Sequence, residues 1–446
     1  MPADAVQYRS LEMRYMKALL SLAIAMFAGL MMTRLLKKTH LPDVTAYLIA
    51  GVLIGPCFIG ALGIPGIGFE SYEELEGVGL ISDVALGFIA FSIGNEFRLS
   101  QLKETGKQAL VVGILQAVTA TVLVDIALLI FHFICPDVLT VPAAITLGAI
   151  AAATAPAATL MVVRQYKAKG PLTDLLLPIV ALDDAVGLVL FAVSFGIAKA
   201  LSSGVVDLYT IVANPIIEIT ASLLLGAVAG WVMTQIEKLF NSNTNRLAIT
   251  ISFVFLTVAL SMISVKIGPV TLGFSSLLVC MMLGSVFCNL CPLSEEIMEN
   301  SDRWTGPLMV LFFVISGAEL ELGVFKELAS VLVGIIYMLA RSAGKYIGAR
   351  ESAKLMRCNK NIVEYLGITL LPQAGVALGM CVTASTLPED GALIRNIVLF
   401  AVLIYELVGP MMTKWALQKA GDIKPMGDDV RNRRERKLEQ AKNVQH

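Results

Sequence analysis

Apolar stretches about 20 residues long recur along this chain between residues 16 and 417. A helix of roughly 20 apolar residues crosses a bilayer core about 30 Å thick. Membrane-spanning β-strands alternate between apolar and polar positions over about 10 residues, whereas these stretches are apolar all round, so helices are expected. The thirteen expected transmembrane helices lie near residues 16–36, 43–62, 78–97, 108–133, 140–163, 172–200, 208–236, 246–264, 268–288, 304–318, 323–349, 361–385 and 392–417.

The composition agrees with lipid as the main surroundings of the chain. Of the 446 residues, 57% are apolar and only 15% are charged, against about 25% charged residues in soluble domains. The 34 basic residues nearly balance the 35 acidic ones. High hydrophobicity excludes a disordered chain, and the missing basic excess argues against a nucleic-acid partner.

The cysteines do not predict a metal or redox site. Cys288 and Cys291 form a CxxC pair, but no second pair and no neighbouring histidines supply the other ligands of a zinc site. We expect the two thiols to be small side chains near a helix end. No cofactor is expected.

Loop charge predicts the orientation in the membrane. Lys and Arg follow spans one, three, five, seven, eleven and thirteen, whereas the loop after span two is acidic. Odd-numbered spans are therefore expected to end in the cytoplasm. This divides the chain into an extracytoplasmic segment (1–15), a transmembrane domain (16–417) and a basic cytoplasmic tail (418–446).

Thirteen spans divide into two halves of six around span seven (208–236). Spans one to six then correspond to spans eight to thirteen, and this odd shift gives the halves opposite orientations. Inverted repeats of this kind, with interrupted helices near the binding site, are common in secondary transporters.

The two halves are interrupted at corresponding places. Span five contains Thr154, Ala155 and Pro156, and span twelve contains Pro372 and Gln373. Proline inside a helix removes a backbone hydrogen bond, and the freed polar groups need another partner or a wet cavity. Each break could be a simple kink, but two at matching positions favour crossed broken helices whose ends face an ion.

Two adjacent carboxylates, Asp183 and Asp184, lie in the middle of span six. Inserting one Asp at a helix centre costs roughly 2.5–3.5 kcal/mol, and packing alone does not require two. Neighbouring helical positions point about 100° apart, so the two side chains can meet different partners. A buried carboxyl binds either a small cation or a proton, which is the minimum requirement for exchanging one for the other.

Span eleven carries Arg341 and Lys345 on one helical face. Lys345 lies deep enough to need a partner, and Asp183 or Asp184 could provide it. The alternative is that the basic groups extend to the cytoplasmic surface. Asp125 in span four and Glu406 in span thirteen are lesser candidates, for which a packing role is the default.

These residues resemble the monovalent cation:proton antiporter family, the second cation–proton antiporter group of the sodium/proton exchanger superfamily. The resemblance covers about residues 16–417. It rests on PDVTAYLIAGVLIGP (42–56), TAPAAT (154–159) and LDD (182–184). It implies an all-α fold of thirteen helices in two inverted six-helix repeats with crossed broken helices. Its implied parts are a dimerisation part (about 16–97 and 208–318) and a core part (about 108–200 and 323–417).

By this resemblance, Asp184 is the carboxylate that binds the cation and the proton. Asp183 would pair with Lys345, and Thr154 with nearby backbone would lie beside the ion. Members with this Asp pair and Lys resemble electrogenic exchangers that take in more protons than the sodium ions they export. The implied function is export of Na⁺ or Li⁺ against H⁺ by an elevator-like movement, in pH homeostasis, by a homodimer in a prokaryotic inner membrane.

Three alternatives remain open. A potassium/proton antiporter of the same family is one, although its regulated relatives carry a large nucleotide-binding domain where this chain has a short tail. A sodium-coupled organic-anion symporter is another, and it would need an anion cavity but not Lys345. An intramembrane aspartyl protease fits poorly, because its two Asp residues share a proton from separate helices.

Overall fold

The computed structural model describes residues 3–39, 41–64, 67–95, 97–203, 208–263, 265–267, 270–319, 328–384, 387 and 390–423. Within these residues the chain forms fifteen α-helices and one antiparallel hairpin of two strands. The helices are α1 (Ala3–Leu35), α2 (Asp43–Ile54), α3 (Tyr72–Asn95), α4 (Leu99–Ile134), α5 (Val141–Ile150), α6 (Pro156–Gln165), α7 (Pro171–Ser203), α8 (Leu208–Glu237), α9 (Asn243–Ser261), α10 (Ser276–Leu290), α11 (Ser294–Ala318), α12 (Leu328–Leu355), α13 (Lys360–Thr369), α14 (Gly375–Ala384) and α15 (Gly391–Ala420). The strands are β1 (Val265–Ile267) and β2 (Val270–Leu272).

Eight of the described helices are long and apolar enough to cross a membrane: α1, α3, α4, α7, α8, α9, α12 and α15. Three shorter apolar helices, α2, α5 and α10, accompany them. Large apolar side chains such as Phe27, Phe133 and Trp231 remain exposed on the outside of the helices, where lipid would cover them. The chain is an integral membrane protein.

Each predicted span overlies at least one helix, but some bounds were wrong. Span two was predicted to reach residue 62, whereas α2 ends at Ile54 because Gly55 is extended and the next residue is a proline. Span nine was predicted from residue 268, whereas α10 begins at Ser276. The hydroxyl of Ser275 caps α10, and β1 and β2 precede it.

The predicted ends of the chain also differ in part from the structure. From Ala3 onward, the segment predicted as 1–15 is part of α1, which runs as one helix to Leu35. The predicted tail begins inside α15, which ends at Ala420. Residues 424–446, which hold most of its basic side chains, lie outside the described residues.

α4 and α12 share the largest helix–helix contact among the described elements. Two glycines of α12 allow the close approach. A Cβ on Gly344 would lie 2.6 Å from Cα of Ala120, and one on Gly348 would lie 2.8 Å from Cα of Gln116. Side chains do not tolerate such contacts with backbone, so glycine sets the spacing that brings Lys345 opposite the middle of α4.

We expect Gly344→Ala to lower the apparent melting temperature of the detergent-solubilised protein. The added methyl overlaps the α4 backbone, and overpacking typically costs about 1–3 kcal/mol. Gly79→Ala on α3 is the matched control, because no neighbouring atom of the described residues lies within 4 Å of its added Cβ and alanine there gains about 1 kcal/mol of helix propensity. Equal melting of the Gly344→Ala variant and wild type would contradict a glycine-dependent contact.

A buried carboxylate ties the end of α15 to the start of α7. Asp422 is 5% exposed, and its Oδ2 accepts hydrogen bonds from the backbone N–H of Thr173 at 2.7 Å and its hydroxyl at 2.8 Å. A carboxylate at a helix N-terminus satisfies free backbone donors and interacts favourably with the helix dipole. This contact anchors the N-terminal end of α7, the helix that carries both adjacent carboxylates.

Candidate functional site

The two predicted breaks are present, and they meet. α5 ends at Ile150 and α6 begins at Pro156, while α13 ends at Thr369 and α14 begins at Gly375. The backbone N–H of Ala155 donates to the carbonyl of Pro372 at 2.8 Å, so the two non-helical segments are joined directly. Pro156 occupies the first position of α6, where its missing N–H costs no helical hydrogen bond.

Lys345 of α12 reaches the first break. Its Nζ donates to the Ala152 carbonyl at 2.6 Å and to the Thr154 hydroxyl at 2.9 Å, and it lies 3.1 Å from Oδ2 of Asp183. The side chains of Lys345 and Asp183 are fully buried. The alternative that Lys345 extends to the cytoplasmic surface is therefore wrong, because its ammonium group is enclosed by three oxygen acceptors.

Both oxygens of Asp183 face donors. Oδ2 accepts from the Thr154 hydroxyl at 2.5 Å as well as from Lys345, and Oδ1 accepts from the side-chain amide of Gln116. Thr154 and Gln116 are buried too. Buried ion pairs are tolerated when hydrogen bonds satisfy the remaining lone pairs, and this arrangement meets that condition for an ionised Asp183.

Arg341 bridges the two breaks. Its guanidinium donates to the carbonyls of Ala151 at 3.0 Å, Ala153 at 2.6 Å and Leu371 at 2.7 Å, and its Cζ lies 4.6 Å from the ring centroid of Tyr405. The side chain is fully buried, so it does not extend to the surface either. The C-termini of α5 and α13 each carry about half a negative charge, and one guanidinium balances the two.

This charge balance explains why two cations on one face of α12 do not compete for the same carboxylate. Arg341 is matched by carbonyl groups and half-helix dipoles, which leaves Lys345 to pair with Asp183. Asp184 follows Asp183 in α7, but its side chain lies outside the described part of the structure.

Gln373 joins the same network from the second break. Its Nε2 donates to the Ile150 carbonyl at 3.0 Å and to the Tyr337 hydroxyl at 2.9 Å. Tyr337 and Gln373 are both fully buried. Gln373 therefore adds a second donor to the last carbonyl of α5, which also accepts from the backbone N–H of Ala153 at 3.3 Å.

Two residues of this network were not predicted. Tyr337 lies one turn before Arg341 and two turns before Lys345, so the i, i+4 spacing along α12 could have indicated it. Gln116 is an amide within the apolar span 108–133. That polarity was a usable signal, because polar groups inside a membrane helix need a partner.

The two lesser candidates lie outside this network of described side chains. Asp125 of α4 is half-buried, its Oδ1 has no hydrogen-bond partner among the described residues, and it occupies space that a side chain on Gly148 would need. Glu406 of α15 is buried beside Tyr405. Neither is a hydrogen-bond partner of Asp183 in the described residues.

A family model and a relative match most of this chain. Residues 22–419 match the family model described as "Sodium/hydrogen exchanger, transmembrane". A relative from Synechocystis sp., the high-affinity Na⁺/H⁺ antiporter NhaS3, is 21% identical over an alignment 394 positions long, and the match covers 81% of this chain and 81% of the relative.

Two solved structures share the fold. Both are of the sodium proton antiporter MjNhaP1 from Methanocaldococcus jannaschii. The structure at pH 8 has a TM-score of 0.65 at 19% identity and covers 92% of this chain and 99% of the other. An electron microscopy structure has a TM-score of 0.66 at 18% identity and covers 91% and 98%.

The family match spans nearly the whole membrane part of the chain and includes both helix breaks, Asp183 and Lys345. It implies Na⁺ and H⁺ as the transported ions and a transporter rather than an enzyme. The protein, whose two non-helical segments meet beside Lys345 and Asp183, belongs to the sodium/hydrogen exchanger family.

Proposed function

We propose that this chain is an electrogenic secondary active antiporter that exports Na⁺ or Li⁺ in exchange for H⁺. The observation that carries the proposal is the buried Lys345–Asp183 pair beside two helix breaks that are joined by a hydrogen bond. A pathway for organic anions does not require such a pair. This favours cation/proton exchange over a sodium-coupled organic-anion symporter.

The roles that we propose for Asp183 and Asp184 follow from the hydrogen bonds of Asp183. Its two oxygens already accept from Thr154, Lys345 and Gln116, so a cation would have to displace one of these donors. Asp184 is the next residue of α7, and neighbouring positions of a helix differ by about 100° around its axis. We therefore assign Asp184 as the carboxylate that takes the cation or the proton in turn, with Thr154 and the carbonyls of the first break nearby.

Electrogenic exchange needs a second proton-binding group. Asp184 alone would exchange one H⁺ for one Na⁺ and move no net charge. The Lys345–Asp183 pair supplies groups that can take the extra proton. A membrane potential is worth about 2.3 kcal/mol per charge per 100 mV, which would drive export of Na⁺ against its gradient.

We further propose thirteen membrane-crossing segments in two inverted repeats. The packing of the described helices supports this assignment. α4 packs on α5 and α7, and α12 packs on α13 and α15. Likewise α3 packs on α10 and α2 packs on α11, which is the pairing expected when helices shifted by seven spans correspond.

The proposed mechanism is an elevator-like movement of a core part (about 108–200 and 323–417) against a dimerisation part (about 16–97 and 208–318). Helices that carry the crossing, α4 to α7 and α12 to α15, pack mainly on one another, which supports a core that moves as a unit. We place the protein as a homodimer in a prokaryotic inner membrane, with the N-terminus outside, the C-terminus inside and a role in pH homeostasis.

The test is proton movement in proteoliposomes followed with a pH-sensitive dye, with Na⁺, Li⁺ and K⁺ added in turn. We expect Na⁺ and Li⁺ to release protons from acid-loaded vesicles, at a rate that changes with an imposed membrane potential. Asp184→Asn should abolish the response. Glu351→Gln is the control, because this side chain is 59% exposed on α12.

Each of the other outcomes would indicate a different function. A response to K⁺ alone would identify a potassium/proton antiporter. Na⁺ uptake that needs an organic anion and moves no protons would identify a symporter. No response to any cation at any pH would overturn the proposal.

A further inference from the structure

An ion pair joins the C-terminal end of α6 to α11. Nη2 of Arg164 lies 2.8 Å from Oδ1 of Asp302. The same oxygen accepts a hydrogen bond from the hydroxyl of Ser92 on α3 at 3.3 Å. Asp302 and Ser92 belong to the proposed dimerisation part, whereas Arg164 belongs to the proposed core part. The ion pair therefore crosses from one part to the other.

The next two residues of the chain connect the same two parts. Oε1 of Gln165 accepts from the backbone N–H of Asp43 at 2.8 Å, and the Tyr166 hydroxyl donates to the carbonyl of Leu41 at 3.4 Å. Asp43 is the first residue of α2, and the N–H groups of a helix's first turn have no acceptor in their own helix. Gln165 thus satisfies an amide that α2 itself cannot satisfy.

The end of α6 is also fixed within the core part. Nζ of Lys414 on α15 lies 4.6 Å from the ring centroid of Tyr166, a cation–π contact that ties the end of α6 to α15. The other end of α6 begins at Pro156, beside the first break. α6 has ten residues and is therefore about 15 Å long. One short helix connects the proposed ion site to the contacts with the dimerisation part.

Polar contacts of this kind restrict a sliding movement more than apolar contacts do. Burial of apolar surface is non-directional, so apolar helix faces can slide while they stay covered. Hydrogen bonds weaken steeply when distance and angle change, so these contacts fit one position of the core part. A contact made in only one of two states shifts the equilibrium between them by its own free energy.

We propose that Arg164, Gln165 and Tyr166 form a latch that holds the core part against the dimerisation part in one of its two positions. The latch closes the side of the membrane at which α6 ends, which is the cytoplasmic side in the proposed orientation. It opens each time the core part moves to its other position. This inference rests on the proposed elevator-like movement.

Amide hydrogen exchange, measured by mass spectrometry on the peptide that contains Asp43, reports how often the latch opens. Asp302→Asn keeps the shape of the side chain and removes its charge. We expect exchange in this peptide to become about two- to fivefold faster, because a partly exposed ion pair shifts an equilibrium by about that factor. Arg303→Gln is the matched control, since Arg303 is 73% exposed and pairs with Glu299 of its own helix.

A charge reversal separates the ion pair from a general loosening of α6. Arg164→Asp alone should speed amide exchange at least as much as Asp302→Asn, because two carboxylates then face each other. The double variant Arg164→Asp/Asp302→Arg should return the exchange close to the wild-type rate. A double variant that exchanges as fast as Arg164→Asp alone would contradict a latch held by this pair.

Crosslinking tests whether the latch must open during transport. Arg164→Cys and Asp302→Cys are combined in a protein whose exposed or half-buried Cys57, Cys135 and Cys358 are replaced by serine. A short bifunctional thiol reagent that reduction cleaves should link the pair and stop Na⁺-driven proton release from proteoliposomes. A reducing agent should restore the rate measured before linking. The same treatment of Glu299→Cys/Arg303→Cys, a pair within α11, should leave transport unchanged.

The outcomes distinguish failure of the latch from failure of the proposed function. Wild-type amide exchange in Asp302→Asn, a pair that does not crosslink, or full transport by the linked protein would each overturn the latch, even with transport intact in wild type. Absence of ion transport in wild type would overturn the proposed function, while amide exchange around Asp43 would still decide whether the ion pair holds the two parts together.

Discussion

Lys345→Ala is expected to destabilise the protein more than any other single replacement of a charged side chain at the two helix breaks. It leaves Asp183 fully buried without its ion-pair partner. It also removes the hydrogen bonds that Lys345 donates to the Thr154 hydroxyl and the Ala152 carbonyl. Breaking a buried pair by removing one partner costs about 3–5 kcal/mol. Thermal unfolding in detergent at neutral pH measures this loss.

A double-mutant cycle separates the ion pair from loss of packing. Asp183→Asn alone should also destabilise, because it leaves the Lys345 ammonium buried. The double variant Lys345→Ala/Asp183→Asn should lose less than the sum of the two single losses, because no unpaired charge remains. Additive losses would show that the pair contributes only through packing. Lys354→Ala, which removes an ion pair whose lysine is 47% exposed, should change stability by about 1 kcal/mol at most.

The Lys345→Ala variant also tests the role of Lys345 in transport. We expect Lys345→Ala to lose the dependence of exchange on membrane potential, because the group proposed to share the second proton is gone. Unchanged exchange with unchanged potential dependence would remove Lys345 from the mechanism, although the chain could still be an antiporter through Asp184.

Arg341→Lys is expected to be nearly as damaging, although it preserves the charge. The guanidinium uses three nitrogens to reach carbonyls on both breaks. A lysine ammonium is a compact point donor and cannot span them. Each buried carbonyl left without a donor costs about 1–3 kcal/mol, so we expect a lower melting temperature and slow exchange.

The matched control for this replacement is Arg303→Lys on α11. Arg303 is 73% exposed and pairs with Glu299 at 2.6 Å, so its replacement should leave melting and exchange close to wild type. If Arg341→Lys also behaves like wild type, charge alone holds the crossing, and the three-carbonyl bridge is dispensable.

Much of the architecture could be predicted from local features of the chain. Hydrophobicity over about 20 residues indicates a membrane helix wherever it occurs, and proline with small neighbours marked both breaks. The bounds that failed, at Ile54 and Ser276, lie where glycine, proline or a serine cap ends or begins a helix inside an apolar run. Hydrophobicity does not detect such ends, because the flanking residues remain apolar.

The candidate site was predicted in its parts but not in its connections. Asp183, Asp184 and Lys345 stood out because charges in an apolar span are expensive. The spacing in the sequence did not indicate which of the two Asp residues pairs with Lys345, since neighbouring positions on α7 differ only by a rotation about the helix axis. Gln116 was missed because one amide in a long span costs far less than a charge.

Local chemistry therefore determined that the chain lies in a membrane, where its helices break and which side chains need partners. Only the tertiary structure determined which residues are those partners. Gln116 and Asp183 are 67 residues apart, Lys345 and Asp183 are 162 apart, and Arg341 reaches carbonyls up to 190 residues away. Contacts over such separations depend on helix packing, which here follows from glycines that bring α12 against α4.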